Sequence, residues 1–181
     1  MKFKGVEELR KEKFFKIVLD WIIPIICAII IALLINKFLF FKVEVPTGSM
    51  IPTVNINDQL FVRKVYNKKN IRRGDIVVFK KEGQKELLLK RVIGLPGENV
   101  DVKVDGSVYI NGEKIAEPYV KYPDSLTGTF TVPMDNYLMM GDNRINSEDA
   151  RMWKDPYIPS DNIIAKARFR VYPFDNIGFL K

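Results

Sequence analysis

The chain of 181 residues is 47% hydrophobic and 28% charged, a globular balance that excludes wholesale disorder and leaves room for one domain of ordinary size. It has no histidine and one cysteine, Cys27, which excludes histidine-based triads, histidine or thiolate metal sites and intramolecular disulfides. The net charge of +7 includes no basic run interleaved with aromatic residues, so we expect no nucleic-acid partner. We also expect no metal and no other cofactor. Any chemistry must use Ser, Thr, Lys, Tyr, Asp or Glu side chains.

The first predicted element is an apolar helix near the N-terminus. Residues 17–35 contain a single charge, Asp20, and at about 1.5 Å per residue a helix of this length matches the thickness of a bilayer core. A buried core helix would show a polar stripe, and a cleavable signal peptide would be followed by small residues, where residues 36–41 are bulky. We therefore predict an uncleaved transmembrane anchor over residues 17–37, with Pro24 in its first turns and the lipid bilayer as its partner.

The basic residues around this segment predict its orientation. Residues 1–16 carry six Lys or Arg residues, which favours a cytoplasmic N-terminal tail. Lys37 and Lys42 on the far side weaken that bias. We predict a single-pass protein of the cell membrane whose residues 38–181 form an extracytoplasmic domain.

The remainder of the chain is predicted to be mainly β. Short runs of Val, Ile, Phe and Tyr alternate with turn signals, as is typical of an all-β domain with antiparallel sheets, and Asn111-Gly112 is a strong hairpin signal. Residues 98–135 carry weaker strands and are predicted to form a small β-rich insertion. The stronger predicted strands are Leu60–Tyr66, Ile76–Phe79, Leu87–Ile93, Val108–Ile110, Tyr137–Met140 and Ile163–Val171.

Ser49 is the candidate nucleophile. It is one of five serines and lies in the run Pro46-Thr47-Gly48-Ser49-Met50-Ile51-Pro52-Thr53. Prolines on both sides restrict the backbone, and Gly48 leaves room for an approaching peptide. Because no histidine is present, a serine nucleophile would need another base, and lysine is the documented substitute.

Lys90 is the candidate base. Strand alternation places Leu88, Lys90 and Val92 on one face, so the amine has apolar neighbours that can lower its pKa from about 10.4. Alternatively, the side chain extends to solvent at a sheet edge. The combination with Ser49 favours the base.

Three motifs in order behind the apolar segment resemble those of the bacterial type I signal peptidases. The resemblance covers most of the chain and implies a signal-peptidase-like all-β catalytic domain with the Ser-Lys protease fold, behind one transmembrane helix. The motifs are Thr47-Gly48-Ser49-Met50-x-Pro52-Thr53, then Arg73-Gly74-Asp75 to Phe79 with Lys90-Arg91-Val92-Ile93-Gly94, and finally Gly141-Asp142-Asn143-Arg144 with Asn146-Ser147, Asp149 and Arg151.

The resemblance implies roles for several of the motif residues. Ser49 would attack the scissile carbonyl, with Lys90 as general base in acylation and deacylation. The oxyanion hole would be the backbone N–H of Ser49 and the hydroxyl of Thr47, and Ser147 would orient the lysine amine. Charged residues would brace the site, with Asp142–Arg91 and Asp149–Arg151 as expected pairs; an ordinary surface turn with salt bridges is the alternative. These charged residues are Arg91, Asp142, Arg144, Asp149 and Arg151.

The implied substrates are pre-protein signal peptides with small residues at the first and third positions before the cut. The peptide would add as an extended strand between the segment before Ser49 and Leu87–Lys90. The predicted substrate-binding residues are Pro46, Gly48, Met50, Leu87, Leu88 and Leu89.

Two other functions fit part of the pattern. A self-cleaving repressor-type Ser-Lys protease would be soluble and usually carry a DNA-binding module, so the apolar segment and the lack of a helix-turn-helix pattern count against it. A membrane-tethered β-domain binding or adaptor protein would keep the anchor and the sheets, but it would not need Ser49, Lys90 and Ser147 together.

Overall fold

A computed structural model describes residues 3–180, with side chains from 10–35 and 38–180. Met1 and Lys2, at the start of the predicted tail, and Lys181 lie outside the described residues. The chain divides into two compact units, one up to Phe40 and one from Phe41 onward.

The first unit is a continuous helical segment. It consists of α1 (Phe3–Ile17), a π-helical turn (Val18–Ile22) and α2 (Ile23–Leu39). Residues Arg10–Ile35 are long and apolar enough to cross a membrane, and none of the most apolar stretch is buried. Pro24 lies in the first turn of α2, as the sequence predicts, although α1 and the π-helical turn precede it in the same helical segment. The proline ring crowds the carbonyl four residues earlier, and a wider π turn immediately precedes it.

The second unit consists of two antiparallel sheets. The larger has the order β1-β2-β11-β3-β4-β9-β10, with β12 also paired to β11, and the smaller has the order β7-β6-β5-β8. In the described part of the chain the strands are β1 (Phe40–Glu44), β2 (Gln59–Lys64), β3 (Ile76–Phe79), β4 (Leu88–Gly94), β5 (Asn99–Val102), β6 (Val108–Ile110), β7 (Glu113–Lys114), β8 (Gly128–Thr131), β9 (Asn136–Met140), β10 (Tyr157–Pro159), β11 (Ile163–Tyr172) and β12 (Gly178–Phe179). Short 3₁₀ turns lie at Lys68–Asn70, Arg144–Asn146, Ser160–Asn162 and Phe174–Asn176.

This architecture confirms the predicted fold class, mainly antiparallel β structure with one N-terminal apolar helix. Strands β3 and β6 have the predicted bounds, and the ends of the other predicted strands differ by one or two residues. The smaller sheet runs from Asn99 to Thr131, inside the segment for which the sequence predicts an insertion.

The hydrophobic core fixes the segment that carries Ser49. Met50 and Val54 are fully buried in a cluster with Leu60 and Ala165, which come from strands β2 and β11. The residue that follows Ser49 is therefore held in the core of the larger sheet. Burial of a side chain of this size stabilises the local conformation by about 1.5–3 kcal/mol.

Candidate active site

Ser49 lies in a tight turn between β1 and β2. The N–H of Ile51 donates to the carbonyl of Gly48 (3.2 Å), and the N–H of Val54 donates to the carbonyl of Met50 (2.9 Å). Ser49 is only 8% exposed. The turn thus places its hydroxyl beside the core while Met50 points into it.

Lys90 lies in the middle of β4 opposite Val77 of β3 and is 5% exposed. Its side chain therefore does not reach out to solvent, the alternative that the sequence left open. Burial lowers the pKa of Lys90 to about 8, although the negative charges of Asp149 and Glu148 oppose this shift. At pH 7, roughly one amine in ten is then neutral and able to accept a proton.

Ser49 and Lys90 line one groove with a volume of about 330 Å³. All the residues predicted to contact substrate except Gly48 line this groove, namely Pro46, Met50, Leu87, Leu88 and Leu89. Thr47, the predicted oxyanion donor, also lines it. The sequence reasoning named no individual residue among the remaining lining side chains, which come from the segments before Ser49 and Leu87 and from β3. These are Val43, Glu44, Val45, Val78 and Glu86.

One edge of β4 is open beside this groove. Residues Leu88–Lys90 pair with β3 on one side, whereas the pairing with β9 on the other side begins only at Arg91, opposite Met140. Within the described residues, the second edge of Leu88–Lys90 therefore has no strand partner. Such an edge offers main-chain hydrogen bonds to an incoming extended peptide.

The side chains around Lys90 form a polar network with Ser147. The Ser147 hydroxyl donates to Asp149 Oδ2 (2.7 Å), so its oxygen remains an acceptor. Within the described residues, no hydrogen bond joins Ser49, Lys90 and Ser147 to one another. The arrangement thus brings these three predicted residues to one region without closing the hydrogen bond that the resemblance implies for Ser147.

Asp142 ties the Lys90 strand to the Ser49 turn. Its carboxylate accepts two hydrogen bonds from Arg91, Nε to Oδ1 (2.8 Å) and Nη2 to Oδ2 (2.6 Å), and a third from Thr53 Oγ1 (2.5 Å). Arg91 and Asp142 are 4% and 0% exposed, so the expected pair is a buried, bidentate one. Asp142 thereby links the residue after Lys90 to the turn that holds Ser49.

Asp149 organises the other half of the network. It accepts from Arg151 Nε (2.8 Å), from the N–H of Gly141 (2.9 Å) and from Ser147. Burial alone would raise the pKa of Asp149, but the hydrogen bonds and the positive charge of Arg151 outweigh it and hold that pKa below its usual range. Asp149 is therefore an anion beside Lys90. This predicted pair too is present, and it is wholly buried.

The comparisons with known proteins identify the chain's family. The family model described as "Signal peptidase, peptidase S26" matches residues 18–172. The chain belongs to this family. A signal peptidase I T of Bacillus subtilis (strain 168) is 42% identical over 171 residues, covering 88% of each chain. A signal peptidase I of Leptolyngbya laminosa is 40% identical over 163 residues, covering 84% of this chain and 79% of that one. The crystal structure of a signal peptidase I from Enterococcus faecalis V583 is 29% identical and covers 52% of this chain and 93% of that chain, with a TM-score of 0.45.

The signal peptidase family membership confirms the resemblance that the three motifs carry. The relatives named above are signal peptidases, which favours a peptidase over the tethered adaptor and the self-cleaving repressor. The residue roles within this chain rest on the geometry of its own site.

In this member of the signal peptidase family, residues 115–127 complete the brace around the site. Glu117 forms a bidentate pair with the buried Arg144 (2.6 and 3.1 Å), and Asp124 pairs with Arg151 (2.6 Å). The ring of Tyr119 lies 3.9 Å from the Arg91 guanidinium. The sequence did not predict the role of this segment, because its ion-pair partners lie about 27 residues further along the chain and no local motif indicates the pairing. The charged loop is thus a buried network and not an ordinary surface turn.

Proposed function

We propose that Ser49 is the nucleophile and Lys90 the general base of a membrane-bound serine endopeptidase that removes signal peptides from pre-proteins. The enzyme class follows from the family to which the chain belongs. The assignment of the two residues rests on one observation: Ser49 and a buried Lys90 with a pKa of about 8 line the same groove. A partly neutral amine can take the serine proton near neutral pH, a role for which this histidine-free chain has few other groups.

In acylation, Lys90 Nζ removes the proton from Ser49 Oγ as the oxygen attacks the scissile carbonyl carbon. The tetrahedral intermediate collapses when the peptide C–N bond breaks and the Lys90 ammonium returns the proton to the leaving amine. The signal peptide then remains bound to Ser49 as an ester. A water molecule, deprotonated by Lys90, hydrolyses that ester and restores the serine.

The oxyanion of each intermediate would accept hydrogen bonds from the Ser49 N–H and the Thr47 hydroxyl. Both residues line the groove, as this role requires. Loss of one such donor typically lowers kcat by about 10²–10³. The rigid network around Asp142 and Asp149 would keep Ser49, Lys90 and these donors in register.

The substrate would bind as an extended strand on the open edge of Leu88–Lys90, with Pro46 and Val45 on the opposite wall of the groove. Its main chain would supply affinity, and apolar pockets would select small side chains at the first and third positions before the cut. Because alternate side chains of a strand face the same way, the first and third positions would both face the groove wall.

The apolar helix would hold the enzyme at the surface where its substrates are anchored. Arg10–Ile35 is long enough to cross the lipid bilayer. The basic residues 1–16 favour a cytoplasmic tail, and the anchor at 17–37 would place residues 38–181 outside the cytoplasm. Signal peptides emerge on that side of the membrane, so the catalytic groups would meet them there.

The test is cleavage of a pre-protein with a small-x-small site by the purified full-length chain in detergent. We expect wild type to cut after the second small residue, and Ser49→Ala and Lys90→Ala each to lose cleavage by about 10⁴-fold or more while keeping the wild-type β-sheet circular dichroism. A serine-reactive penem should acylate wild type and not Ser49→Ala. Ser107→Ala, in the turn between β5 and β6, and Lys114→Ala, in β7, are the matched controls and should cut normally.

Turnover by Lys90→Ala at the wild-type rate would refute the proposed base. Absence of cutting by a folded wild-type chain would refute the peptidase assignment. It would favour the alternative function, a membrane-tethered adaptor.

A further inference from the structure

We propose that Asn143 is a positioning residue that sets the direction of the Ser49 backbone N–H, and so forms the oxyanion hole without touching the substrate. The inference rests on the proposed function, because it assigns that N–H to the oxyanion. Asn143 belongs to the last of the three motifs, but the motif comparison gives it no role.

Asn143 holds the backbone on both sides of the Ser49 Cα atom. Its side-chain Nδ2 donates to the carbonyl of Gly48 (3.0 Å), and its backbone N–H donates to the carbonyl of Ser49 (3.0 Å). These two carbonyls belong to the peptide planes before and after Ser49. Rotating either plane would break a hydrogen bond to Asn143.

The first of these bonds, together with the Ile51 N–H that donates to the same carbonyl (3.2 Å), fixes the direction of the Ser49 N–H. The carbonyl of Gly48 and the N–H of Ser49 belong to the same planar, trans peptide unit and point in opposite directions. Because the carbonyl is held toward buried Asn143, the N–H is held away from it. Ser49 lines the groove and Gly48 does not, which agrees with an N–H that points away from Asn143 and toward the groove.

The packing of the loop against Ser49 reinforces the same orientation. A Cβ atom at Gly141 would lie 2.5 Å from the carbonyl oxygen of Ser49 and 2.2 Å from Ser147 Oγ, so only glycine permits this approach. The loop that carries Asn143 therefore lies directly against the Ser49 backbone.

The two ends of the Asn143 side-chain amide differ in their hydrogen bonding, which indicates that the NH₂ group is the functional end. Asn143 is 7% exposed, and its Oδ1 is buried with no hydrogen-bond partner among the described residues. A buried amide with one unsatisfied end is a poor choice for stability alone. Its satisfied end is the one that binds Gly48.

The test measures kcat, KM and the pH profile of full-length Asn143→Ala and Asn143→Leu in detergent, with the small-x-small pre-protein as substrate. Loss of an oxyanion donor costs about 10²–10³ in rate, and a misdirected donor should cost part of that. We expect kcat to fall about 10- to 100-fold, KM to stay within about threefold, and the midpoint of the pH profile to stay at the wild-type value. The rate of acylation by a penem should fall in parallel.

Asn143→Leu keeps most of the buried volume and removes both polar ends, so it separates the hydrogen bond from packing. Asn176→Ala is the control, because it removes an exposed amide outside the three motifs that makes no side-chain hydrogen bond within the described residues. It should keep the wild-type kcat.

Three results would overturn the inference: an unchanged kcat in both Asn143 variants, an equal loss in Asn176→Ala, or a loss that appears as a shifted pH midpoint or as a matching fall in Tm. Wild type and Ser49→Ala are measured alongside. If wild type cuts and Ser49→Ala does not, the proposed function holds and the Asn143 variants alone decide; if wild type does not cut, both proposals fail.

Discussion

The two sides of the Ser49–Lys90 site differ in almost every physical property. On the groove side, apolar side chains such as Leu87 and Leu88 are exposed or half-buried, and the edge of Leu88–Lys90 lacks a strand partner. On the other side, the charged side chains of Asp142, Arg144, Asp149 and Arg151 are buried and paired, with Asp142 and Asp149 both 0% exposed.

This difference shows how one site can be both open and rigid. The groove keeps main-chain donors and acceptors free, so that a peptide can add to the sheet. The charged side chains on the other side hydrogen-bond to one another and to nearby backbone, and so they fix the geometry of the site. Lys90 lies at the boundary, where burial lowers its pKa and Asp149 limits how far it falls.

The largest loss of stability is expected when one partner of the buried Arg91–Asp142 pair is removed. Asp142→Ala leaves the buried Arg91 guanidinium and the Thr53 hydroxyl without their acceptor. Breaking a buried pair from one side costs about 3–5 kcal/mol. We expect the free energy of unfolding in urea to fall by that amount and cleavage to be lost.

Asp101→Ala is the control for that experiment. Asp101 of the smaller sheet pairs with Lys103, but the two side chains are 35% and 50% exposed. Its removal should shift the urea midpoint far less than Asp142→Ala does. Equal effects would contradict the distinction between a buried brace and a solvated surface.

We expect the buried Lys90 to lower the free energy of unfolding at neutral pH. Its pKa is about 8 in the folded chain against 10.5 for an ordinary lysine, so at pH 7 the folded state disfavours the charge that the unfolded state accepts. Lys90→Met removes that cost, and we expect the free energy of unfolding to rise by about 3 kcal/mol at pH 7.

The gain should shrink as the pH rises through 8 and disappear above about 10.5, where both states of the wild type are neutral. Urea unfolding of the inactive variant and of wild type at pH 7 and pH 10 measures this. A gain that is the same at both pH values would mean that packing, and not charge, is responsible.

Truncating a side chain on the groove side should have a smaller effect on activity and on stability. Leu87 lines the groove and is 43% exposed, so its truncation removes contact with the substrate without opening the core. Leu87→Ala should raise KM about fivefold and leave kcat and Tm near wild type, as expected for loss of about 1 kcal/mol of uniform binding. Leu126→Ala, 39% exposed and outside the groove, is the control and should change neither constant. A fall in kcat instead would place Leu87 in the catalytic geometry.

The sequence alone was sufficient for the elements with local signals. The apolar run after the Arg73-Gly74-Asp75 turn predicted β3 with its observed bounds, and the length of the apolar segment predicted the N-terminal helix. The pairing of Arg91 with Asp142 could be expected because the family motifs bring these residues together.

The features that the sequence did not reveal depend on distant parts of the chain. Glu117 pairs with Arg144 and Asp124 pairs with Arg151 because a long loop brings them together. The sequence of that loop has no hydrophobic periodicity from which the contacts could be predicted. The open edge of β4 depends on where β9 begins to pair, which is a matter of register. The early start of the helix was missed because its first residues are polar, so hydropathy marks only the apolar part.

The most direct test of the Ser49–Lys90 assignment is the pH dependence of kcat for cleavage of the small-x-small pre-protein by full-length wild type between pH 5 and 10. With Lys90 as base and a pKa of about 8, kcat should rise about tenfold per pH unit below 8 and level off above it, because only the neutral amine accepts the proton. A flat profile from pH 5 to 9, with Ser49→Ala inactive throughout, would contradict a lysine base.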